Sequence, residues 1–219
     1  MFIVEGNIGT GKSTLLDFIA KHIPTISIAP EFIENWNHTP IGHHLLESFY
    51  QDPVRWALTM EMESLTNRIQ QHLHNQEYQN ALVVERSIYS GYYCFAKNGY
   101  EQGFLTELEW NVYNAWFKFT TEKKCKLPQG FIYLQADPEV SYKRTLKRAR
   151  AAEQSISKDY LQQIHEKHEQ FLIHKKDVSE NLKHIPTLTL DWNIDAQKDA
   201  PIFEKNMNTL QDFIHSYSL

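Results

Sequence analysis

The sequence predicts an α/β fold, a five-stranded parallel sheet with helices on both faces, and three observations carry that expectation. Short apolar runs alternate with longer amphipathic stretches along the whole chain, the pattern of strands buried on both sides and joined by crossover helices. The first run leads into Gly6-Asn7-Ile8-Gly9-Thr10-Gly11-Lys12-Ser13, a G-x-x-x-x-G-K-[ST] spacing with a helical pattern behind it. Strand, glycine loop and helix in that order make a phosphate-binding loop. Finally, 219 residues, 42% apolar and 22% charged, suit one domain spanning 1–219 around one core.

Phe2-Ile3-Val4-Glu5 reads as the first strand, and the helix after the loop begins Thr14-Leu15-Leu16. Glycines let backbone N–H groups converge on phosphate oxygens, and the helix N-terminus adds its positive end. Lys12 is spaced to reach the β- and γ-phosphates and Ser13 to hold Mg²⁺. The loop from Gly6 through Thr14 is thus the expected ATP site. Thr25 to Ala29 reads as the second strand, ended by Pro30, with Glu31 at its carboxyl end. Ligands of open α/β sheets gather at that edge, so Glu31 is a catalytic candidate; the plainer reading is a solvated loop carboxylate. Trp36 follows as an aromatic suited to line a pocket.

Residues 39–50 read as a helix with Ile41, Leu45, Leu46 and Phe49 on one face. Asp52-Pro53 opens another, whose stripe is Leu58, Met62, Leu65, Ile69 and Leu73. Glu61 and Arg68, seven apart, share a face of it, roughly 10 Å apart along the axis. Ala81 to Glu85 is the third strand and ends in Glu85-Arg86-Ser87. A helix through Cys94 follows, and then one marked by Phe104, Leu108, Val112, Trp116 and Phe119. Phe131 to Leu134 is the fourth strand, with Asp137-Pro138 opening its helix. Arg144, Lys147, Arg148 and Arg150 crowd about two turns, where like charges repel. An anionic ligand would relieve that; the competing reading is an exposed basic helix. Ile164, His168, Phe171, Lys175 and Val178 set the face of the next long helix. Pro186 to Leu190 is the last strand, and Phe203, Met207, Leu210, Ile214 and Tyr217 mark the closing helix.

The net charge of −5, without an isolated basic block, argues against a nucleic-acid surface. No apolar run is long enough to cross a membrane, and the chain starts on its first strand, so a cytoplasmic setting without a leader is expected. Cys94 and Cys125 read as free thiols of a reducing compartment. His165-Glu166-Lys167-His168 has histidines three apart, which fails the metalloprotease spacing and leaves a solvated helix face.

The phosphate loop, Glu31 with Trp36, Tyr50-Gln51-Asp52-Pro53-Val54-Arg55-Trp56, Glu85-Arg86-Ser87-Ile88-Tyr89-Ser90 and the run from Arg144 to Glu153 together resemble the deoxyribonucleoside kinases. These include the deoxycytidine and deoxyguanosine kinases, mitochondrial thymidine kinase and the multisubstrate insect enzyme, and the likeness spans nearly the whole chain. It implies a P-loop nucleoside-kinase fold with an arginine-rich lid at about 144–156, ATP and Mg²⁺ as cofactors, and nucleotide salvage as the role. By resemblance Glu31 is the general base on the sugar 5′-hydroxyl, and Arg86 holds that hydroxyl in line. Glu85 orients Mg²⁺ beside Ser13, and Arg144, Arg148 and Arg150 close over the transferred group. Tyr50 and Glu153 bind the 3′-hydroxyl, Trp36 and Phe95 sandwich the base, and Met60 lines its pocket. The family is usually dimeric through two helices, and the Phe104–Phe119 helix could supply the interface or could simply pack in the core.

One departure concerns the base. Relatives usually carry a glutamine eleven residues after the marker tyrosine; here that position is Glu61. An ionised glutamate offers only acceptors, which suits the two adjacent donors of guanine, and Arg68 could donate to O6 or N7 of a purine. Relatives with that arginine often pair it with an aspartate, where this chain has Gly91. A purine preference follows; the alternative is a Glu61–Arg68 salt bridge with broad or pyrimidine specificity. Two other functions share parts of the pattern: a thymidylate kinase, whose monophosphate substrate needs more cations than the Glu31–Trp36 loop carries, and a non-catalytic protein of the same fold.

Overall fold

The computed structural model describes residues 1–31, 45–150, 156–195 and 199–217. Trp36, Glu153 and most of the helix expected before Leu45 lie outside them.

Five strands form one sheet in the order β2-β3-β1-β4-β5, all parallel. They are β1 (Phe2–Glu5), β2 (Ser27–Ala29), β3 (Leu82–Glu85), β4 (Gly130–Gln135) and β5 (Thr187–Asp191). Each lies within two residues of its expected run. The helices are α1 (Lys12–His22), α2 (Leu45–Gln51), α3 (Pro53–Asn75), α4 (Ile88–Ser90), α5 (Lys97–Glu101), α6 (Glu107–Lys123), α7 (Pro138–Arg148), α8 (Lys158–His168), α9 (Glu180–Lys183) and α10 (Ala200–Tyr217). A π-helical stretch, Gly91–Ala96, joins α4 to α5, so the helix expected through Cys94 runs on to Glu101. With every strand parallel, all carboxyl ends share one edge, and the phosphate loop leaves the central strand at that edge.

Side-chain alternation along β1 divides the core between the two sheet faces. Phe2 and Val4 pack with Leu15, Ile19, Leu210 and Ile214 of α1 and α10. Ile3 packs on the other side with Tyr89, Tyr113 and Phe171. A third cluster, including Phe49, Ala57, Met60 and Leu105, seats α2 on α3.

Three expected faces are corrected. On α6 the apolar series Leu108, Val112, Trp116 and Phe119 points outward, at 75%, 44%, 53% and 54% exposure, while Tyr113, Phe117 and Thr120 are buried. The helix carries two apolar stripes, and the aromatic-rich inner one wins the core. The Thr106–Glu109 capping box fixes its start past Phe104. On α3 the most buried line is partly polar: Ala57, Glu61, Ser64, Arg68 and His72. Of the expected stripe only Leu65 is fully buried, because this helix turns its polar side to a cavity. Beyond α8 a π-helical stretch, Glu169–Ile173, ends the helix before Lys175, whose φ is 48°. The supposed solvated face there is partly core, since His168 is fully buried and Lys167 nearly so.

Candidate active site

The phosphate loop is shaped by its glycines. Gly9 and Gly11 have φ of 79° and 100°, the left-handed region where an L side chain is strained. Gly9 also abuts α7: a Cβ there would lie 2.6 Å from the Ser141 carbonyl. Arg144 of α7 donates to the Thr10 carbonyl at 2.9 Å and to the Ile194 carbonyl at 2.6 Å. This arginine, expected over the transferred phosphoryl group, instead braces the outside of the loop. Asn7 Nδ2 ties the loop to α8 through the Leu161 carbonyl at 2.7 Å.

Lys12 is buried and donates to the Gly6 and Asn7 carbonyls at 3.2 and 2.8 Å. Burial, helped by Arg86, lowers its pKa to about 7 against the pull of Glu85 and Glu31. A phosphate dianion at hand favours its charged form. The Ser13 hydroxyl donates to Glu85 Oε1 at 3.1 Å, so the two residues expected at the cation lie side by side. Hydroxyl and carboxylate oxygens suit a hard divalent cation such as Mg²⁺.

Across the edge, Glu31 follows β2 with its carboxylate buried to 5% exposure between two guanidiniums. Arg68 Nη2 lies 2.9 Å from Oε1, and Arg86 Nε 3.3 Å from Oε2. Burial alone would raise its pKa, but Arg86 and Arg68 hold it below the ordinary carboxylate value, so Glu31 stays ionised. The solvated-loop reading of Glu31 is set aside. Arg68, expected to face the base, is engaged with Glu31. Gly91 makes the room: a Cβ there would lie 2.6 Å from Arg68 Nη1.

Arg86 is held in a left-handed conformation, φ 62°, immediately after β3. Its amide donates to the Val4 carbonyl of β1 at 2.9 Å. Such strain outside glycine collects at functional sites, where the surroundings over-determine it. Its guanidinium lies 4.8 Å from the Phe95 ring centre, and its buried Nη1 has no hydrogen-bond partner among the described residues. Next to it, the Ser87 hydroxyl accepts from the Tyr89 and Ser90 amides at 3.0 and 3.1 Å, capping α4. It also donates to Glu5 Oε1, the last residue of β1, at 2.5 Å.

These groups face one cavity. Lys12, Ser13, Glu31, Glu85 and Arg86 line it together with Tyr50, Met60, Glu61, Arg68 and Phe95. Arg148 and Arg150 line it as well, from the end of α7 and just beyond. Four lining residues were not singled out in the sequence as site residues: Leu46 and Phe49, read there only as a helix face, and Ser64 and Tyr160. Ser64 lies one turn after Glu61 on the buried line of α3. Tyr160 precedes Ile164 by one turn, and its ring centre is 6.2 Å from that of Tyr50. Extending each helical face by a turn would have found both. Glu61 is 7% exposed, and its Oε2 has no hydrogen-bond partner among the described residues. Burial pushes its pKa up to about 8, with Arg68 opposing only in part.

The deoxynucleoside kinase family model matches residues 2–215. Curated proteins match over nearly the same span. The probable deoxycytidine kinase of fowlpox virus is 34% identical, covering 96% of this chain and 86% of its own. Human deoxycytidine kinase is 33% identical, covering 96% and 89%. The mitochondrial deoxyguanosine kinase of Xenopus laevis is 32% identical, covering 96% and 88%.

Proposed function

Because the chain belongs to the deoxynucleoside kinase family, we propose that it transfers the γ-phosphate of ATP to the 5′-hydroxyl of a deoxyribonucleoside, giving the 5′-monophosphate. The observation that carries this reading is the Glu31 carboxylate, gripped by Arg68 and Arg86 in the same cavity as Lys12 and Ser13. A base for the acceptor and a cradle for the donor thus share one space.

Phosphoryl transfer asks for alignment and for charge around the moving group more than for covalent chemistry. Glu31, ionised, takes the proton from the 5′-hydroxyl. Arg86 orients Glu31 through Nε and offers Nη1 to an oxygen of the substrate. Lys12 and the loop amides hold the donor phosphates, and Arg148 and Arg150 add charge from the lid side. Ser13 and Glu85 would hold Mg²⁺, which neutralises phosphate charge when bound. Phe95 flanks the base, and Tyr50 reaches the sugar.

The outward face of α6, Leu108, Val112, Trp116 and Phe119, is an apolar patch with no partner within the described chain. A second copy seated on it makes a homodimer, the arrangement the resemblance implies.

Glu31→Gln tests the assignment. Removing a general base costs about two to four powers of ten in kcat, while nucleoside binding measured by calorimetry persists. Near-normal kcat in this variant overturns the role of Glu31.

A further inference from the structure

Glu61 is more than nine-tenths buried, lines the cavity and has a carboxyl oxygen without a partner among the described residues. The groups around it fix its chemistry. From its own helix comes Arg68, whose Nη2 pairs with Glu31 at 2.9 Å. Tyr113 of α6 and Tyr160 of α8 interact with it electrostatically, and Tyr50 of α2 lines the same space. These three are phenols whose ionisation burial suppresses in Tyr113 and Tyr160. Arg86 lines the cavity too, but its Nε is directed at Glu31. Glu61 therefore sits away from water with one cation near, and that cation is shared with another carboxylate. Its charged form is disfavoured, with a pKa of about 8.

We infer that Glu61 selects the base by its own protonation: as the neutral acid it takes bases that present one acceptor beside one donor, and as the carboxylate it takes guanine. This rests on the kinase reading above and deepens it. A carboxylic acid accepts at one oxygen and donates from the other, the pattern of a glutamine amide. Cytosine, with N3 beside its amino group, and adenine, with N1 beside its amino group, match that pattern. A carboxylate accepts twice and matches the adjacent N1–H and amino donors of guanine. Loss of the proton to solvent exchanges one pattern for the other, and a mismatched pattern leaves a buried polar group unpaired, which sites reject strongly. The expected preference at neutral pH thereby moves away from deoxyguanosine toward nucleosides whose base sets one donor beside one acceptor: deoxycytidine, deoxyadenosine or thymidine.

The test is kcat/KM for deoxycytidine and for deoxyguanosine from about pH 6 to about pH 9. This parameter reports ionisations of the free enzyme. Groups that serve both substrates, such as Lys12 and Glu31, cancel in the ratio. If each base needs one form of Glu61, the deoxycytidine-to-deoxyguanosine ratio follows the neutral-to-charged ratio and falls about tenfold per pH unit. Glu61→Gln keeps one donor and one acceptor at every pH, so its ratio is flat. A flat wild-type ratio with measurable turnover overturns the selector and leaves the kinase reading standing. No turnover of any deoxynucleoside at any pH overturns both.

Discussion

Replacing Gly91 by alanine is a test of how Glu31 is held. The backbone at Gly91 is ordinary right-handed helix, φ −51° and ψ −50°, so alanine is accepted there and even favours the helix. The new Cβ would sit 2.6 Å from Arg68 Nη1, too close to persist. The atom in the way is the end of a flexible side chain, so the guanidinium moves and the fold does not. Glu31 then loses the 2.9 Å contact on Oε1 and keeps the 3.3 Å contact on Oε2. A charge-assisted hydrogen bond contributes about 1.5–3 kcal/mol. At about 1.4 kcal/mol per pH unit, its loss raises the pKa of Glu31 by about one to two units. On the proposed reading Glu31 acts only when ionised, so the acid limb of the kcat/KM profile moves upward by that amount, while activity on the plateau changes less. The assay is initial rate against pH at saturating ATP, with Arg68→Met as the companion variant. Arg68→Met, which removes the charge as well as the hydrogen bond, moves the limb at least as far, and adding Gly91→Ala to it adds nothing further, because both act through Arg68. A Gly91→Ala profile that overlays the wild type on the acid side refutes the grip described for Glu31.

Two further outcomes concern other parts of the molecule. His168 is fully buried, and its pKa is held well below 6.5 by burial and by Arg86. The unfolded chain takes up a proton there that the native one refuses, so stability falls as pH drops below about 6.5, by up to about 1.4 kcal/mol per unit from this residue. Urea unfolding between about pH 5 and about pH 7 should show that slope reduced in His168→Phe; an unchanged slope removes His168 as its cause. On α6, Leu108→Lys with Trp116→Lys places two charges on the outward patch. Light scattering should then find one chain where the wild type gives two, whereas a wild type that stays single at micromolar concentration ends the dimer proposal.

The sequence made the donor half of the site readable because its chemistry is local. Gly9, Gly11, Lys12 and Ser13 do their work within one turn of chain, and a motif of that reach survives without coordinates. Glu31 and Glu85-Arg86 were readable for a related reason: the sheet is parallel, so the end of an apolar run marks the ligand edge. What depended on distant partners was not readable. The Arg68–Glu31 pair joins residues 37 positions apart, and the space it needs comes from Gly91 on a third element. The charge state of Glu61 depends on burial, which its neighbours in sequence do not reveal. On α6 both apolar stripes have helical spacing, and only the fit of Tyr113 and Phe117 against Tyr89 and Tyr92 decides which turns inward. His168 carries two readings in the sequence, on the Ile164–Phe171 helix face and in a solvated His165–His168 run; it is buried, its ring parallel to Tyr133 of β4 with centres 6.1 Å apart.

The Ser87 hydroxyl has a consequence for alignment. Through it the end of β1, where the phosphate loop begins, is fastened to the start of α4, one residue past Arg86, which is proposed to serve the acceptor. The two halves are thus not aligned through a long series of contacts, each adding its own slack. They meet along one short seam, made of this hydroxyl, the Arg86 amide on the Val4 carbonyl and the Ser13–Glu85 bond, so a shift elsewhere in the scaffold moves both together. For a reaction in which a misplacement of about 1 Å can cost a hundredfold in rate, so short a seam leaves little room for the two halves to drift apart.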